Sequence, residues 1–148
     1  MGTVNEVTLT PLRIIPGDSG NVMHALKQQE SSFQGFGEAY FSIVNKNSVK
    51  GWKKHRSMLL NLIVPSGAIR FVLYDDRKES SQHRIIREII LSKENYQRLT
   101  VPPGVWMAFQ GLSDDLNMLL NIASIPHDPD EADTLPVQNE LIPYHGFT

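Results

Sequence analysis

Short runs of apolar and β-branched residues recur along the chain, and clusters of turn residues separate them. The separators include Pro-Ser-Gly at 65–67 and Pro-Pro-Gly at 102–104. This pattern is typical of short strands joined by tight turns. The predicted strands are residues 39–44, 59–64, 68–74, 85–91, 96–101, 105–110 and 117–123. Strands at this spacing predict an all-β sandwich or barrel.

The two ends of the chain and one short helical pattern complete the predicted organisation. Residues 7–20 predict a strand followed by a turn at Pro-Gly-Asp-Ser-Gly. Residues 92–95 can form a single helical turn between two strands. Residues 126–148, which carry several prolines and acids, are predicted to wrap the surface as a tail. With neither repeats nor linkers, residues 1–148 are predicted to form a single domain.

Composition narrows the class of protein. At 148 residues and 41% hydrophobic content, the chain can bury a sizeable core. A formal net charge of -2 gives no support for a nucleic-acid partner. The absence of cysteine excludes a disulfide scaffold, a thiolate zinc site and a cysteine nucleophile. No apolar run approaches membrane-spanning length and no apolar segment follows a basic start, so we expect a soluble cytoplasmic protein without membrane contact.

Residues 48–55 and 101–109 look like the two halves of a cupin signature. In metal-binding cupins these halves supply a His-x-His pair, a Glu and a second-half His. Here the pair is Lys53 and His55, the Glu position falls on Leu59 or Leu60, and the second-half His position falls on Met107. Residues i and i+2 of a strand face one side, so Lys53 lies beside His55, where its charge repels a divalent cation. We therefore predict a barrel without a metal.

Several phrases together resemble the dTDP-4-dehydrorhamnose 3,5-epimerase family and the related sugar 3,4-ketoisomerases. They are Lys-Gly-Trp at 50–52, Leu-Tyr-Asp-Asp-Arg at 73–77, Ile-Leu-Ser-Lys-Glu-Asn at 90–95, Val-Pro-Pro-Gly-Val at 101–105 and Pro-His-Asp-Pro-Asp-Glu at 126–131. The resemblance covers roughly residues 9–136. It implies a cupin-type antiparallel β-barrel (jelly roll) and an isomerase that uses no metal or redox cofactor.

The resemblance also implies a set of catalytic roles. The family uses a histidine base in the Lys-Gly-Trp strand, a lysine that stabilises the enolate, and a tyrosine acid on a late strand. If the chain is aligned with the family from Lys50-Gly51 without gaps, Lys53 occupies the position of the base. A short gap in the alignment places His55 there instead. The enolate lysine falls on Leu60 and the tyrosine on Asn121. We take His55 as the candidate base and Lys53 as an enolate stabiliser or phosphate ligand.

Other polar and aromatic residues are candidates for ligand binding. The basic residues from 46 to 56 form either a diphosphate site or a solvated loop. Polar residues within otherwise apolar strands either contact the ligand or are buried with their hydrogen bonds made inside the protein. Tyr40 and Tyr74 are possible acids if they point inward, and we expect no catalytic role for His127 or for the histidines at 24, 83 and 145. The predicted substrate-binding residues are Lys50, Arg56, Asn61, Arg70, Tyr74, Trp106, Gln110 and Asn121.

The predicted function is epimerisation or isomerisation of a dTDP-4-keto-6-deoxy sugar by proton abstraction beside the ketone, in the synthesis of surface polysaccharide sugars. The alternative is a non-catalytic or divergent cupin that binds a sugar or nucleotide sugar. The expected ligand is a sugar or nucleotide sugar in either case. An open barrel edge needs cover, so we also predict a homodimer in which the N-terminal strand crosses to the partner's sheet.

Overall fold

A computed structural model describes residues 4–147, and within that range the chain forms twelve strands and no helix. The strands are β1 (Thr8–Pro11), β2 (Ile14–Ile15), β3 (Val22–Met23), β4 (Glu38–Ile43), β5 (Val49–His55), β6 (Leu60–Ser66), β7 (Ala68–Asp75), β8 (Ile86–Ser92), β9 (Gln97–Val101), β10 (Val105–Gly111), β11 (Met118–Ala123) and β12 (Ala132–Thr134). No helix long and apolar enough to cross a membrane occurs in this part of the chain.

Two five-stranded antiparallel sheets build the molecule. Sheet I has the order β1-β9-β6-β11-β4, and sheet II has the order β12-β5-β10-β7-β8. β2 and β3 form a separate two-stranded ladder around the turn at residues 16–20. The prediction of an all-β, cupin-type fold with antiparallel sheets is confirmed. The seven strands predicted between residues 39 and 123 are all present, with bounds that agree within two residues.

The core lies between the inner faces of the two sheets. It follows strand alternation: Leu60, Leu62 and Val64 of β6 point inward, and so do Val105 and Met107 of β10. Each of these side chains is nearly or fully buried. The alternation of side chains along each strand therefore separates the core residues from those on the outer faces.

The C-terminal segment covers the outer face of sheet II. Trp52 and Trp106 project outward there and pack with Ile142 and Phe147 of the tail. The indole of Trp52 donates a hydrogen bond to the carbonyl oxygen of Val137 at 3.1 Å, and β12 pairs with β5. The tail thus holds β5 from behind, and β5 is the strand that carries Lys50, Lys53 and His55.

One sequence-based expectation about local structure is wrong, and one about the N-terminal strand is not tested within a single chain. Residues 92–95 form a turn between β8 and β9 rather than a helical turn. In this turn the backbone N–H of Asn95 donates a hydrogen bond to the hydroxyl of Ser92. Within the chain β1 pairs with β9, with Leu9 opposite Leu99, and the crossing of the N-terminal strand to a partner's sheet stays a prediction.

Candidate active site

A β-bulge in β5 sets the positions of the basic residues. Across the β5–β10 ladder, Lys53 lies opposite Met107 and Lys50 lies opposite Phe109, so three steps on β5 match two steps on β10. In a regular strand, residues three apart face opposite sides. The extra residue lets Lys50 and Lys53 face the same side. A side chain on Gly51 is excluded there, since its Cβ would lie 2.3 Å from that of Ala108.

A cavity of about 310 Å³ opens between the two sheets. Its wall from sheet II consists of β5 and β10, and its wall from sheet I consists of β4, β6 and β11. Basic and polar groups lie on one side and apolar groups at the base. The lining residues are Glu38, Tyr40, Ser42, Lys50, Gly51, Lys53, His55, Met58, Leu60, Val101, Pro102, Val105, Met107, Phe109, Leu119, Asn121 and His127.

His55 lies at the end of β5 with its imidazole at this cavity. Burial lowers the pKa of His55, and the charges of Lys53 and His127 lower it further, whereas the Glu131 carboxylate opposes them. The imidazole is therefore neutral at pH 7 and able to accept a proton. Its Nδ1 atom is buried and has no hydrogen-bond partner among the described residues. The other ring nitrogen, Nε2, also forms no hydrogen bond with residues 4–147, so no protein group occupies the basic nitrogens of His55.

Glu131 ties the tail to the end of β5. Its carboxylate accepts hydrogen bonds from the backbone N–H groups of Ser57 and Met58, both at 2.6 Å. These bonds fix the turn that follows His55. A carboxylate with two charge-assisted backbone hydrogen bonds is held firmly, so the negative charge nearest the imidazole has a defined position.

The cluster of basic residues between 46 and 56 divides into two groups. Lys46 pairs with Asp114, Lys54 with Asp76, and Arg56 with Asp133. Lys50 and Lys53 form no salt bridge with any carboxylate in residues 4–147, and both line the cavity. Two uncompensated ammonium groups on one wall favour an anionic ligand.

Comparisons with known proteins show the family of the chain. The family model described as dTDP-4-dehydrorhamnose 3,5-epimerase matches residues 3–142. The chain belongs to this family. The crystal structure of a dTDP sugar isomerase from Desulfovibrio desulfuricans G20 is 36% identical, with a TM-score of 0.91, and the match covers 96% of this chain and 91% of that one.

Two more distant relatives extend the comparison. A probable low-salt glycan biosynthesis epimerase, Agl13 of Haloferax volcanii, is 23% identical over 146 residues, covering 97% of this chain and 90% of the relative. A dTDP-4-dehydrorhamnose 3,5-epimerase from Bacillus anthracis, solved with TDP and PPi bound, is 19% identical with a TM-score of 0.82, covering 94% and 83%. The latter likeness shows the shared fold.

The positions matched to the family's functional residues converge on the cavity. Lys53, Leu60, Met107 and Asn121 all line it. Leucine, methionine and asparagine cannot transfer a proton as lysine, histidine or tyrosine can. Apart from Lys53, the groups at the cavity that can transfer a proton therefore lie at other positions, and they include His55, Tyr40 and His127. Within residues 4–147, no three His, Asp or Glu side chains are grouped as metal ligands would be.

Four predicted ligand-binding residues lie on the outer face of sheet II instead. Tyr74 and Trp106 pack in the cluster beneath the tail, and the Trp106 indole donates to Asp76 at 3.2 Å. Arg70 lies opposite Gln110 across the β7–β10 ladder, with 3.4 Å between the guanidinium and the amide oxygen. Strand alternation explains this placement, because Met107 and Phe109 take the inward positions of β10.

The other two predicted ligand-binding residues also lie outside the cavity. The Asn61 amide is buried on the outer face of sheet I, where it donates to the Ser32 carbonyl at 2.9 Å and accepts from Thr100 at 2.7 Å. Arg56 pairs with Asp133 beside the β5 turn. Of the predicted site residues, the structure therefore brings together Lys50, Lys53, His55 and Asn121.

The cavity also contains groups that sequence reasoning did not assign. Tyr40 was a conditional candidate, and it lines the cavity between Glu38 and Ser42, its alternating neighbours on β4. His127 reaches the cavity from the tail, although we expected no role for it. The family-like phrase at residues 126–131 contains His127 and Glu131, but the sequence does not show that the fold places these residues beside β5.

Proposed function

We propose that the cavity binds a dTDP-linked 4-keto-6-deoxy sugar and that His55 abstracts a proton from a carbon next to the ketone. The observation that carries the proposal is that His55, whose pKa is lowered, shares a single cavity with two lysines that form no salt bridge within residues 4–147. The lysines complement the diphosphate, and the imidazole is the base. The protein is thus an epimerase or isomerase of glycan precursor synthesis.

The chemistry follows from the positions of these groups. When the carbon–hydrogen bond breaks, its electron pair moves to the ketone oxygen and forms an enolate. Lys53 lies on the same strand face as His55, two residues away, so its ammonium can stabilise that oxygen. The apolar cavity base, which includes Leu60 and Leu119, lowers the local dielectric and strengthens this interaction.

The sugar nucleotide as substrate is supported by the chain's relatives. The family model describes a dTDP-sugar enzyme, and the 36%-identical relative is a dTDP sugar isomerase. The cavity volume is at the lower end of the range for ligand sites. We expect the cavity to hold the sugar, with the nucleotide lying outside it.

Proton exchange in deuterated water tests this function. The protein is incubated in D₂O with dTDP-4-keto-6-deoxyglucose, and the sugar is followed by ¹H NMR while binding is measured by calorimetry. We expect loss of the proton signal at C3 or C5. Binding of the sugar nucleotide without exchange would instead support the divergent, non-catalytic cupin.

We further propose that the protein is a homodimer packed through the outer face of sheet I. Phe41 and Ile43 of the edge strand β4 are 63% and 43% exposed there, beside the apolar Leu120 and Ile122 of β11. Exposed apolar side chains on an open sheet edge commonly mark an interface. We expect a dimer mass by light scattering at micromolar concentration and a monomer mass for Phe41→Glu.

A matched control separates this interface from general surface effects. Ile90 of β8 is 45% exposed at the edge of the other sheet, and Ile90→Glu should keep the dimer mass. A monomer mass for the unmodified protein would refute the homodimer.

A further inference from the structure

The Glu38 carboxylate lies on the wall of the cavity that sheet I provides. Glu38 begins β4, and Tyr40 and Ser42, its neighbours at i+2 and i+4, line the same cavity. Strand alternation therefore directs its side chain inward. Burial raises the pKa of Tyr40 and the Glu38 charge raises it further, whereas the hydrogen bond from Asn121 lowers it. The carboxylate thus lies close enough to the Tyr40 phenol for its charge to act there.

This carboxylate has no cationic partner in the described part of the protein. Within residues 4–147, Glu38 forms no salt bridge, and no side chain or backbone N–H donates a hydrogen bond to its carboxylate. Lys50 and Lys53 line the same cavity and are not paired with it. Charged groups of a cavity that lack protein partners are suited to pair with charges on a ligand.

Glu38 and Lys50 lie towards opposite ends of the cavity. Lys50 and His55 are five residues apart on β5, or about 15 Å along a strand. Glu38 lies opposite Ala123, which in turn pairs with Leu60 at the start of β6. Since β5 ends at His55 and β6 begins shortly afterwards, Glu38 and His55 share one end of the cavity.

The formal charges of the cavity favour a ligand that carries both signs of charge. With histidines counted as neutral, Lys50 and Lys53 give two positive charges and Glu38 gives one negative charge. The diphosphate of a sugar nucleotide carries one negative charge on each phosphate, so a complex with a neutral sugar has one negative charge in excess. An ammonium group on the sugar balances that charge. Charges interact more strongly in a cavity that excludes bulk water, so the balance affects affinity.

A second acceptor lies on the same wall, two residues along β11 from the partner of Glu38. Asn121 is 7% exposed, and its amide nitrogen donates to the Tyr40 hydroxyl at 2.9 Å. The side-chain oxygen is buried and has no hydrogen-bond partner among residues 4–147. Most buried polar atoms are paired in folded proteins, so an unpaired amide oxygen at a cavity favours a ligand that donates a hydrogen bond. An ammonium group has three N–H donors and can serve more than one acceptor.

We propose that Glu38 binds an ammonium group at C3 of the sugar, so that the cavity prefers dTDP-linked 3-amino-6-deoxy sugars. This inference rests on the proposed function, which places the ketone at C4 and the reacting carbon beside His55, at the Glu38 end. The carbons next to the ketone are C3 and C5. Because C5 carries the ring oxygen and the methyl group, C3 is the carbon that can carry an amino group. A hydroxyl at C3 can donate to the same carboxylate, but it leaves the carboxylate charge unbalanced, so the hydroxyl sugar is a weaker ligand.

Two stable analogues that differ only at C3 test this preference. They are dTDP-3-amino-3,6-dideoxyglucose and dTDP-6-deoxyglucose, and neither has the ketone, so calorimetry measures binding without reaction. We expect the unmodified protein to bind the amino sugar roughly tenfold to a hundredfold more tightly, the usual effect of a hydrogen bond between charged groups.

Glu38→Gln removes the charge of this side chain and keeps its size. We expect the variant to bind the two analogues with nearly equal affinity. It should bind dTDP at least as tightly as the unmodified protein does, because both cavity lysines remain and a negative charge is lost. This dTDP binding also shows that the variant is folded.

Glu94→Gln is the matched control. It removes the same charge from the exposed turn between β8 and β9, so the variant should keep the full preference for the amino sugar.

Three results would overturn the inference. If the unmodified protein binds the two analogues equally, the cavity does not recognise an ammonium group, while deuterium exchange still tests the proposed function independently. If the preference persists in Glu38→Gln, another group binds the ammonium and the role of Glu38 is wrong. If the unmodified protein binds neither analogue, the cavity is not a site for sugar nucleotides, and the proposed function fails together with this inference.

Discussion

Replacing His55 with alanine is expected to slow deuterium exchange into a dTDP-4-keto-6-deoxy sugar by about 10²–10⁴-fold, the usual contribution of a general base. His55 is the imidazole that β5 directs into the cavity, and its buried Nδ1 atom has no hydrogen-bond partner among residues 4–147. Binding of dTDP should remain close to that of the unmodified protein, because Lys50 and Lys53 still line the cavity. NMR exchange rates and calorimetry measure the two quantities separately.

His127→Ala is the comparison that identifies the base. His127 is the other histidine at the cavity, and it comes from the exposed tail rather than from β5. We expect a much smaller effect on exchange from this variant. If His127→Ala loses exchange and His55→Ala keeps the unmodified rate, the base is His127 and the role proposed for His55 is wrong.

Replacing Lys53 with alanine is expected to weaken both ligand binding and exchange. A hydrogen bond between charged groups contributes about 1.5–3 kcal/mol, or roughly tenfold to a hundredfold in affinity. The Lys53 ammonium has no carboxylate partner among residues 4–147, so its interaction with a diphosphate or enolate is not shared with a protein acid. Exchange should fall even at saturating ligand if Lys53 also stabilises the enolate.

The same variant has a predicted pH signature. Lys53 lowers the pKa of His55, so its removal should raise that pKa. Exchange requires neutral imidazole, so its rate falls at acidic pH. In Lys53→Ala this acidic limb of the pH profile should move to higher pH. If Lys53 had a purely steric role, the acidic limb of the pH profile would not move.

Lys93→Ala is the matched control, because it removes the same charge from the exposed turn between β8 and β9. It should leave binding, exchange and the pH profile unchanged. If Lys53→Ala and Lys93→Ala have equal effects, the cavity lysine has no specific role and the effect is one of net charge.

The sequence predicts strands well in this protein because turn residues separate nearly every apolar run. It predicts less accurately which face of each strand points towards the other sheet. Trp106 and Gln110 looked like cavity residues, yet Met107 and Phe109 take the inward positions between them. The sequence does not show whether the odd-numbered or the even-numbered residues of a strand point inward. A shift of one residue exchanges the two faces.

The site could be predicted only in part, for two physical reasons. The bulge in β5 places Lys50 on the same face as Lys53, which simple alternation would not predict. Contacts between distant parts of the chain place Glu131 and His127 beside His55. By contrast, the pairing of Lys53 with His55 follows directly from their i, i+2 spacing, and the structure brings both to the cavity.

Deuterium incorporation by the unmodified protein, measured with and without saturating dTDP, tests the central claim most directly. The sugar nucleotide is dTDP-4-keto-6-deoxyglucose in D₂O at neutral pH, and ¹H NMR resolves each ring position. If the cavity carries out proton abstraction, deuterium enters at a carbon beside the ketone, and dTDP suppresses this by competing for Lys50 and Lys53, which line the cavity. No incorporation above the protein-free rate, or incorporation that dTDP does not affect, would contradict the account.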